Sequence, residues 1–421
     1  GVFAPLFCEK RVERLAAIAE KLYEGEYDIV LLQEVYMSKD YYKMKESLKF
    51  IFPYSNYYHS SLFGSGCCIF TKFKILTTFF FPYTLNGYAH RLQHGDWYAG
   101  KGIGLAILKT HKDFIINVYV THVFSLYIRL LQWNKNFYNT HARYQSITSD
   151  DYCIHRLNQG FELGQFINLT SNGCHAVILG GDLNMDEGMH GFHVISASSG
   201  LKDAWLTQPI KPKDPDISGA TSHRPDNSFC SKSWLTMHAD GERLDYIFYK
   251  QSNGIRLDCI KCNLTMRKMT CDPPINYSDH EGVEANFNIS IDDSAVADTS
   301  DSQKLCDILR KSLTEYEYGI HKYNLNQFLR LILLFSLFVC IAFNIPDVIV
   351  YSIFTFDIPS ILNRLIIMGI SIVFFMVLWF TVVIQTSELK AIRNTQQNMN
   401  WIIHGLNNHC NGDLAKFQKN Y

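Results

Sequence analysis

The sequence has no surplus of charge of either sign. Its 421 residues include 39 Lys and Arg and 40 Asp and Glu, which give a formal net charge of -1. Proteins that bind nucleic acid usually carry a basic excess or a basic stripe, so this balance argues against a nucleic-acid partner. The balanced net charge does not exclude local basic patches.

A regular cysteine framework is also missing. The twelve cysteines are scattered, with one C-x-x-C at Cys259 and Cys262 and one adjacent pair at Cys67 and Cys68. A zinc site needs a second pair of Cys or His ligands at short spacing, and a small secreted scaffold needs repeated spacings. We therefore expect reduced thiols in a cytosolic domain, with a zinc site as the alternative.

The start of the chain lacks targeting signals. Gly1 is not preceded by Met, no basic stretch runs into an apolar one as in a signal peptide, and a myristoylation motif is absent. We expect the start to be a fragment boundary.

Residues 1–292 alternate helix-like and strand-like stretches. Apolar residues between Val12 and Leu22 recur at helical spacing. Elsewhere, short apolar runs lie next to polar residues. This pattern is typical of a sheet that is covered on both faces and carries its functional residues at the strand ends. These runs are Ile29–Leu32, Ile115–Val120, Ala176–Leu179 and Leu244–Tyr249.

The last hundred or so residues of the chain are far more apolar than the rest. Residues 293–325 are predicted to form a linker and an amphipathic segment. Two apolar segments follow, at about 328–350 and 361–384. Each is close to the ~20 residues that cross a bilayer as a helix. We predict two transmembrane helices within 326–386 and a cytosolic tail over 387–421, with two buried core helices as the alternative.

Basic residues on both flanks of this hairpin predict its orientation. Lys322 and Arg330 precede the apolar segments, and Lys390 and Arg393 follow them. The positive-inside tendency then predicts that both flanks and residues 1–292 face the cytosol. The endoplasmic reticulum or another internal membrane is expected rather than secretion.

Four glycosylation triplets argue the other way. Each has the form N-x-S/T, and they begin at Asn168, Asn263, Asn276 and Asn288. Such triplets are common by chance, and a glycan on Asn276 would obstruct the nearby Asp279-His280 pair. We therefore keep the cytosolic prediction.

Four short motifs carry residues suited to phosphate chemistry. Hard carboxylate oxygens suit Mg²⁺, a His beside a carboxylate suits a general base, and an amide can donate to a phosphoryl oxygen. Each motif alone also has a structural explanation: a helix-start acid, a turn residue, an ion pair between Arg243 and Asp245, or a surface His. The motifs are Gln33-Glu34, Gly181-Asp182-Leu183-Asn184, Arg243-Leu244-Asp245-Tyr246 and Ser278-Asp279-His280.

In this chain order, and with Thr121-His122, the motifs resemble those of the DNase I-like endonuclease/exonuclease/phosphatase superfamily. Leu85-Asn86-Gly87-Tyr88 and the block His94 to Lys101, which contains Gly95-Asp96-Trp97, resemble the neutral sphingomyelinases within it. So does the C-terminal hairpin. The resemblance implies a four-layer α/β sandwich followed by a two-helix transmembrane hairpin.

The resemblance also implies a role for each site residue. Glu34 would bind the catalytic Mg²⁺, and His280, paired with Asp245, would activate water. Asp182 would position the nucleophile, and Asp279 would assist the metal or the phosphate. Asn184 and His122 would hold the non-bridging phosphate oxygens. The implied reaction is in-line attack of water on the phosphorus of sphingomyelin, releasing ceramide and phosphocholine.

Two departures from the family pattern stand out. Family members carry an Asn on a first strand just upstream of Gly1, which predicts that one strand and one metal-site residue are missing. Residues 123–139 interrupt a Thr-His-x-His stretch, so that His122 or His141 could hold the site position; we favour His122 because it ends a strand. The inserted segment is interpreted as a retained intron or a wrong exon junction, with a genuine loop as the alternative.

Three other functions remain open from the sequence. One is a catalytically impaired membrane scaffold, since a metal-site Asn is missing. Another is a different superfamily activity, either a nuclease or a phosphoinositide phosphatase. The third is lysophospholipid cleavage by the same residues.

Overall fold

A computed structural model describes residues 10–89, 96–123, 152–210, 212, 218–230, 240–269, 274–354 and 358–409. The segment 123–139, apart from Val123, lies outside the described residues, as do His141 and the chain start. The described chain divides into two units. The first includes the residues up to Leu309 except Ala89, and the second runs from Arg310 to His409.

The first unit contains three antiparallel or mixed sheets. Its strands are β1 Ile29–Leu32, β2 Tyr54–Tyr57, β3 Cys68–Thr71, β4 Lys74–Pro82, β5 Gly102–Lys109, β6 Ile115–His122, β7 Ala176–Asp182, β8 Lys202–Asp203, β9 Asp245–Gln251, β10 Ile255–Thr265 and β11 Gly282–Ile291. The sheet orders are β4-β5-β6-β7-β9-β8, β1-β3-β2 and β10-β11. Only the β6–β7 pair is parallel among these described strands.

The described part of the first unit also contains helices. They are α1 Arg11–Glu24, α2 Ser38–Leu48, α3 Asp96–Ala99, α4 Cys153–Thr170, α5 His190–Ser199 and α6 Ala204–Thr207. Leu163 and Ile195 of α4 and α5 pack on one face of the six-stranded sheet. Leu22 and Met44 of α1 and α2 pack on the outer face of the three-stranded sheet.

The two sheet layers enclose the central core. Side chains alternate along β6, so that Val118 and Val120 join this core while Tyr119 points to the α4–α5 side. Ile69 of the three-stranded sheet and Leu257 of the two-stranded sheet meet β6 from the other layer. The order helix, sheet, sheet, helix confirms the expected four-layer sandwich.

The second unit consists of long helices. α7 runs from Ser302 to Phe354, beginning in the first unit, and the expected amphipathic segment and first apolar segment therefore form one continuous helix. α8 Ile358–Trp379 passes through a π-helical turn, Phe380–Ile384, into α9 Gln385–His409.

Within the second unit, polar contacts join the long helices. The Arg330 guanidinium donates to Gln385 Oε1 at 3.1 Å, and the Gln385 amide donates to the Tyr323 carbonyl at 2.7 Å. Arg310 donates to Asn407 Oδ1 at 3.2 Å. The helices are thus antiparallel neighbours, as a hairpin requires. Both are long and apolar enough to cross a membrane, and only 6% of each apolar window is buried.

Candidate active site

Strand register brings three of the predicted site residues side by side. His122 ends β6 and lies opposite Asp182, the last residue of β7, in the parallel pair. Asp182 in turn lies opposite Asp245, the first residue of β9. Because β9 runs antiparallel to β7, its beginning lies at the carboxyl end of β7. One edge of the sheet therefore presents an imidazole and two carboxylates.

His280 completes this group from the loop before β11. Its Nδ1 lies 2.8 Å from Asp245 Oδ2, and Asp182, Asp245 and His280 each place a ligand-type atom within 4.8 Å of the others. The Asp245 pair fixes the imidazole orientation and directs Nε2 away from the carboxylate. Nε2 lies 3.1 Å from the Ser222 hydroxyl. The arrangement is that of a general base with an orienting carboxylate.

Electrostatics set the charge of this pair. Burial opposes the His280 cation, but Asp245, Asp182 and Asp279 outweigh it and raise the His280 pKa to about 10. Burial, followed by repulsion from Asp245, raises the pKa of Asp182 to about 7. Without a bound cation, His280 is therefore protonated at neutral pH, and the paired carboxylates repel each other.

Asn184 is held against Asp182 by a tight turn. Its backbone N–H donates to Asp182 Oδ1 at 2.8 Å, and its side-chain amide donates to Asp182 Oδ2 and to the Val123 carbonyl, both at 3.0 Å. Asn184 has φ 47°, which costs energy for a residue other than glycine. In this arrangement the amide fixes the Asp182 carboxylate, and a phosphate oxygen would have to compete for the same N–H groups.

Glu34 lies at the edge of the group rather than inside it. Its Oε1 is 4.0 Å from His122 Nε2, which is itself 3.6 Å from Asp182 Oδ2. Glu34 follows β1 with φ 61°, in the left-handed region, and its side chain is 36% exposed. The structure thus brings Glu34 near His122 but does not include it in the close Asp182–Asp245–His280 group.

His122 is buried and contacts a cation that the sequence reasoning missed. Lys101 Nζ lies 2.9 Å from His122 Nε2 and donates to the Val123 carbonyl at 3.1 Å. Burial, then Lys101, lowers the His122 pKa well below its ordinary value. His122 is therefore neutral and accepts the Lys101 hydrogen bond at Nε2. The cation at this position is Lys101, which is only 1% exposed.

Two further contacts bear on the predicted residues. Arg243 donates to Asp203 Oδ2 at 2.7 Å and also pairs with Glu187, so the alternative in which Asp245 serves Arg243 does not hold. Asp279 is exposed, and its carboxylate accepts a hydrogen bond from the Ser278 hydroxyl at 3.1 Å.

Sequence signals for the missed residues are weak. Lys101 stands between two glycines and belongs to no catalytic motif, although the apolar strand that begins at Gly102 could have indicated burial. Ser222 lies in a loop with no motif of its own. Thr221, beside it, accepts hydrogen bonds from the backbone N–H groups of Leu244 and Asp245 at 3.1 and 3.2 Å and so supports the strand start.

The cysteine alternative for a metal site finds no support in the described residues. Cys259 and Cys262 are buried in β10 and are free thiols. Among the residues with described positions, the group of His, Cys, Asp and Glu side chains suited to a metal is Asp182, Asp245 and His280.

The chain is similar to known proteins over most of its length. Residues 7–280 match the model of the Endonuclease/Exonuclease/phosphatase family. Sphingomyelin phosphodiesterase 2 of Mus musculus is 32% identical over 326 residues, which cover 76% of this chain and 72% of that protein. A Caenorhabditis elegans relative is 33% identical over 296 residues, and the chain spans 63% of its length.

A solved structure is similar to the chain at lower sequence identity. A crystal structure of beta toxin from Staphylococcus aureus is 17% identical, with a TM-score of 0.47, and the match covers 66% of this chain and 92% of that one. The family match over residues 7–280 includes every predicted site residue, from Glu34 to His280. The chain therefore belongs to the endonuclease/exonuclease/phosphatase family and, within it, to the neutral sphingomyelinase group of phosphodiesterases.

Proposed function

We propose that the chain is a Mg²⁺-dependent phosphodiesterase that hydrolyses sphingomyelin to ceramide and phosphocholine at a membrane surface. The observation that carries this proposal is the Asp245–His280 pair beside Asp182, in a chain that belongs to the neutral sphingomyelinases. Lysophospholipids that carry the same phosphocholine headgroup are proposed as secondary substrates.

His280 acts as the base that takes a proton from water. Because Asp245 contacts Nδ1 of His280, Nε2 is the atom that receives the proton. Asp182 positions the water. The water oxygen forms a bond to phosphorus while the bond from phosphorus to the ceramide oxygen breaks. The proton that His280 received passes to that leaving oxygen, so that ceramide and phosphocholine are the products.

The residues present fit a divalent cation. Three carboxylates, of Glu34, Asp182 and Asp245, supply hard oxygen ligands, and the raised pKa of Asp182 reflects negative charge that burial leaves poorly compensated. We propose Glu34 as the Mg²⁺ ligand, with Asp279 assisting the metal or the phosphate. When bound, the cation neutralises phosphate charge and offsets the carboxylates that keep His280 protonated.

Phosphate oxygens require donors at the same edge of the sheet. The family resemblance implies this role for Asn184 and His122, and the contacts of His122 add Lys101 to the set. A buried ammonium is effective here because little water screens its charge. We propose that Lys101 supplies the positive charge and that His122 holds it in position.

The long C-terminal helices are proposed to anchor the chain in a membrane. Their apolar windows have mean hydropathies of 2.0 and 2.7, and bilayer lipid would cover the side chains that the protein leaves exposed. Basic residues flank the hairpin on both sides, which supports a cytosolic site and an internal membrane such as the endoplasmic reticulum.

A substrate and metal panel tests the proposal. The full chain in detergent micelles would be given sphingomyelin, a lysophosphatidylcholine and a phosphoinositide, and phosphocholine and inorganic phosphate would be measured separately. Phosphocholine release from sphingomyelin is expected. Release of inorganic phosphate from the phosphoinositide alone would make the chain a phosphatase, and no release from any lipid would favour a scaffold.

Glu34→Gln tests the metal assignment. It should raise the Mg²⁺ concentration needed for half-maximal turnover by about tenfold or more, because one charged ligand is lost. Asp182→Asn is the matched comparison. A larger shift in the Asp182 variant than in the Glu34 variant would move the metal into the Asp182–Asp245–His280 group.

A further inference from the structure

We propose that a surface beside the site docks on the lipid bilayer that contains the substrate. This surface, here called the rim, consists of Leu62 and Phe63 on the loop between β2 and β3, and of Trp97 and Tyr98 in α3. The inference rests on the proposed function, since it explains how the site reaches a lipid. It also gives a role to Trp97, to which the catalytic chemistry assigns none.

The two parts of the rim are joined as one surface. The backbone N–H groups of Leu62 and Phe63 both donate to the Tyr98 carbonyl at 3.1 Å. The Phe63 and Tyr98 rings meet edge to face with centroids 6.2 Å apart, and Trp97 meets Tyr98 at 5.0 Å. The two segments therefore present their side chains together rather than independently.

A glycine allows this close approach. Gly100 has φ 63°, and a Cβ at this position would lie 2.5 Å from the Cβ of Ser61. Only glycine has both the conformation and the space that this contact requires. The family block that ends in Gly100-Lys101 thus contains the residue that holds α3 against the β2–β3 loop.

The rim lies between two parts of the candidate site. On one side, the Val35 N–H donates to the Gly66 carbonyl at 2.9 Å, so the β2–β3 loop abuts the turn that contains Glu34. On the other side, Gly100 is followed directly by Lys101, whose ammonium contacts His122. A surface that covered the rim would therefore lie at the border of the catalytic group.

The composition of the rim suits a lipid surface. Leu62 is 73% exposed and Phe63 is 40% exposed, although both are large apolar side chains. Residues 60–66 contain no charged side chain, so this loop can enter a headgroup layer without removing a charge from water. Trp and Tyr, here Trp97 and Tyr98, are the residues that concentrate at membrane–water interfaces.

The choice of a bilayer over a protein partner follows from the position of the rim. The proposed substrate has two long hydrocarbon chains and reaches the site from a membrane surface. A protein bound at the rim would separate that surface from Glu34 and Lys101, whereas a bilayer at the rim brings the substrate headgroup to them.

Activity on two physical forms of substrate tests the proposal. The full chain would be reconstituted in vesicles of phosphatidylcholine and sphingomyelin, and assayed separately with a short-chain sphingomyelin below its critical micelle concentration. Leu62→Ser should lower turnover in the vesicles by about tenfold, because an apolar anchor is lost, and leave turnover of the monomeric substrate unchanged. Phe50 is 82% exposed and precedes β2, whereas the rim loop follows β2. Phe50→Ser should therefore alter neither rate.

A fluorescence measurement tests docking without activity. Leu62→Trp and Phe50→Trp would be compared in vesicles that contain brominated phosphatidylcholine. Quenching of the added emission is expected for the Leu62 variant and not for the Phe50 variant. Equal behaviour of the two variants, or an equal loss on both substrate forms in Leu62→Ser, would overturn the proposal. If the parent chain hydrolyses neither substrate form, the proposed function fails, and the quenching result still decides docking.

Discussion

The carboxyl edge of the six-stranded sheet and the C-terminal helical hairpin use polar residues in opposite ways. At the sheet edge, polar side chains are concentrated and mutually bonded, as in the Asp245–His280 and Lys101–His122 contacts. In the hairpin, polar contacts such as Arg330–Gln385 are few, and large apolar side chains such as Phe335 stay exposed. The first region bonds its polar side chains to one another, and the second exposes apolar side chains that lipid would cover in the proposed membrane anchor.

The two regions should therefore be sensitive to different substitutions. Strand register and hydrogen bonds hold the site residues together, so we expect removal of one charge to disturb the chemistry more than the fold. In the proposed membrane anchor, the hairpin should tolerate changes among apolar residues, since lipid accommodates their shapes, but not a new charge.

Asp245→Asn is expected to have the largest effect on turnover. The amide keeps the shape of the side chain but no longer stabilises the His280 imidazolium, so phosphocholine release should fall by about 10³-fold or more. Vesicle association should be unchanged, because the hairpin is not affected. A fall of less than tenfold would remove Asp245 from the catalytic group.

Lys101→Met is expected to lower turnover by about 10²-fold, since one buried donor near the phosphate is lost. The apolar side chain fills similar space, and a thermal melt serves as the control for folding. If the variant melts normally and retains full turnover, Lys101 is structural and the assignment drawn from its contact with His122 is wrong.

Phe335→Arg addresses the hairpin. An arginine near the middle of an apolar segment costs about 3 kcal/mol of insertion free energy. We expect a smaller membrane-inserted fraction in a translation assay with microsomes, whereas turnover of a monomeric short-chain substrate per folded molecule should be retained. Phe335→Leu is the matched control, and equal insertion of the two variants would contradict a membrane-spanning role.

A pH series without metal is expected to give the smallest effect. It tests the electrostatics of His280 in the candidate site. The pKa of His280 is about 10 in the folded chain against an ordinary value of 6.5, so folding favours its protonated form. The stabilisation is fully present below pH 6.5 and is lost as the pH rises through 10. In EDTA, the melting-temperature difference between the parent chain and His280→Gln should shrink over this interval. A constant difference would contradict the raised pKa.

Much of the fold follows from local sequence patterns. The apolar spacing between Val12 and Leu22 predicted α1, and short apolar runs predicted β1, β6, β7 and β9. Alternating helix-like and strand-like stretches with polar strand ends indicated a sheet covered on both faces, and the family resemblance implied the four-layer α/β sandwich. The continuous helix from Ser302 to Phe354 was harder to foresee, because its polar and apolar halves look like separate segments.

The site was predictable where chemistry and sequence position coincide. Asp182, Asp245 and His280 stand in recognisable motifs, and strand register brings them together. Lys101 and Ser222 were missed because their importance comes from tertiary contacts with His122 and His280, which no local pattern encodes. The partners of Asn184 depend on a left-handed turn that sequence alone does not fix.

Metal-dependent phosphocholine release from sphingomyelin is the most direct test of the account. The full chain and His280→Ala would be assayed side by side in detergent micelles near neutral pH, with Mg²⁺ and with EDTA. The account predicts release by the parent chain with Mg²⁺ only, and none by the variant in either condition. Release that persists in EDTA or in His280→Ala would contradict it, because the proposed base and cation would then be dispensable.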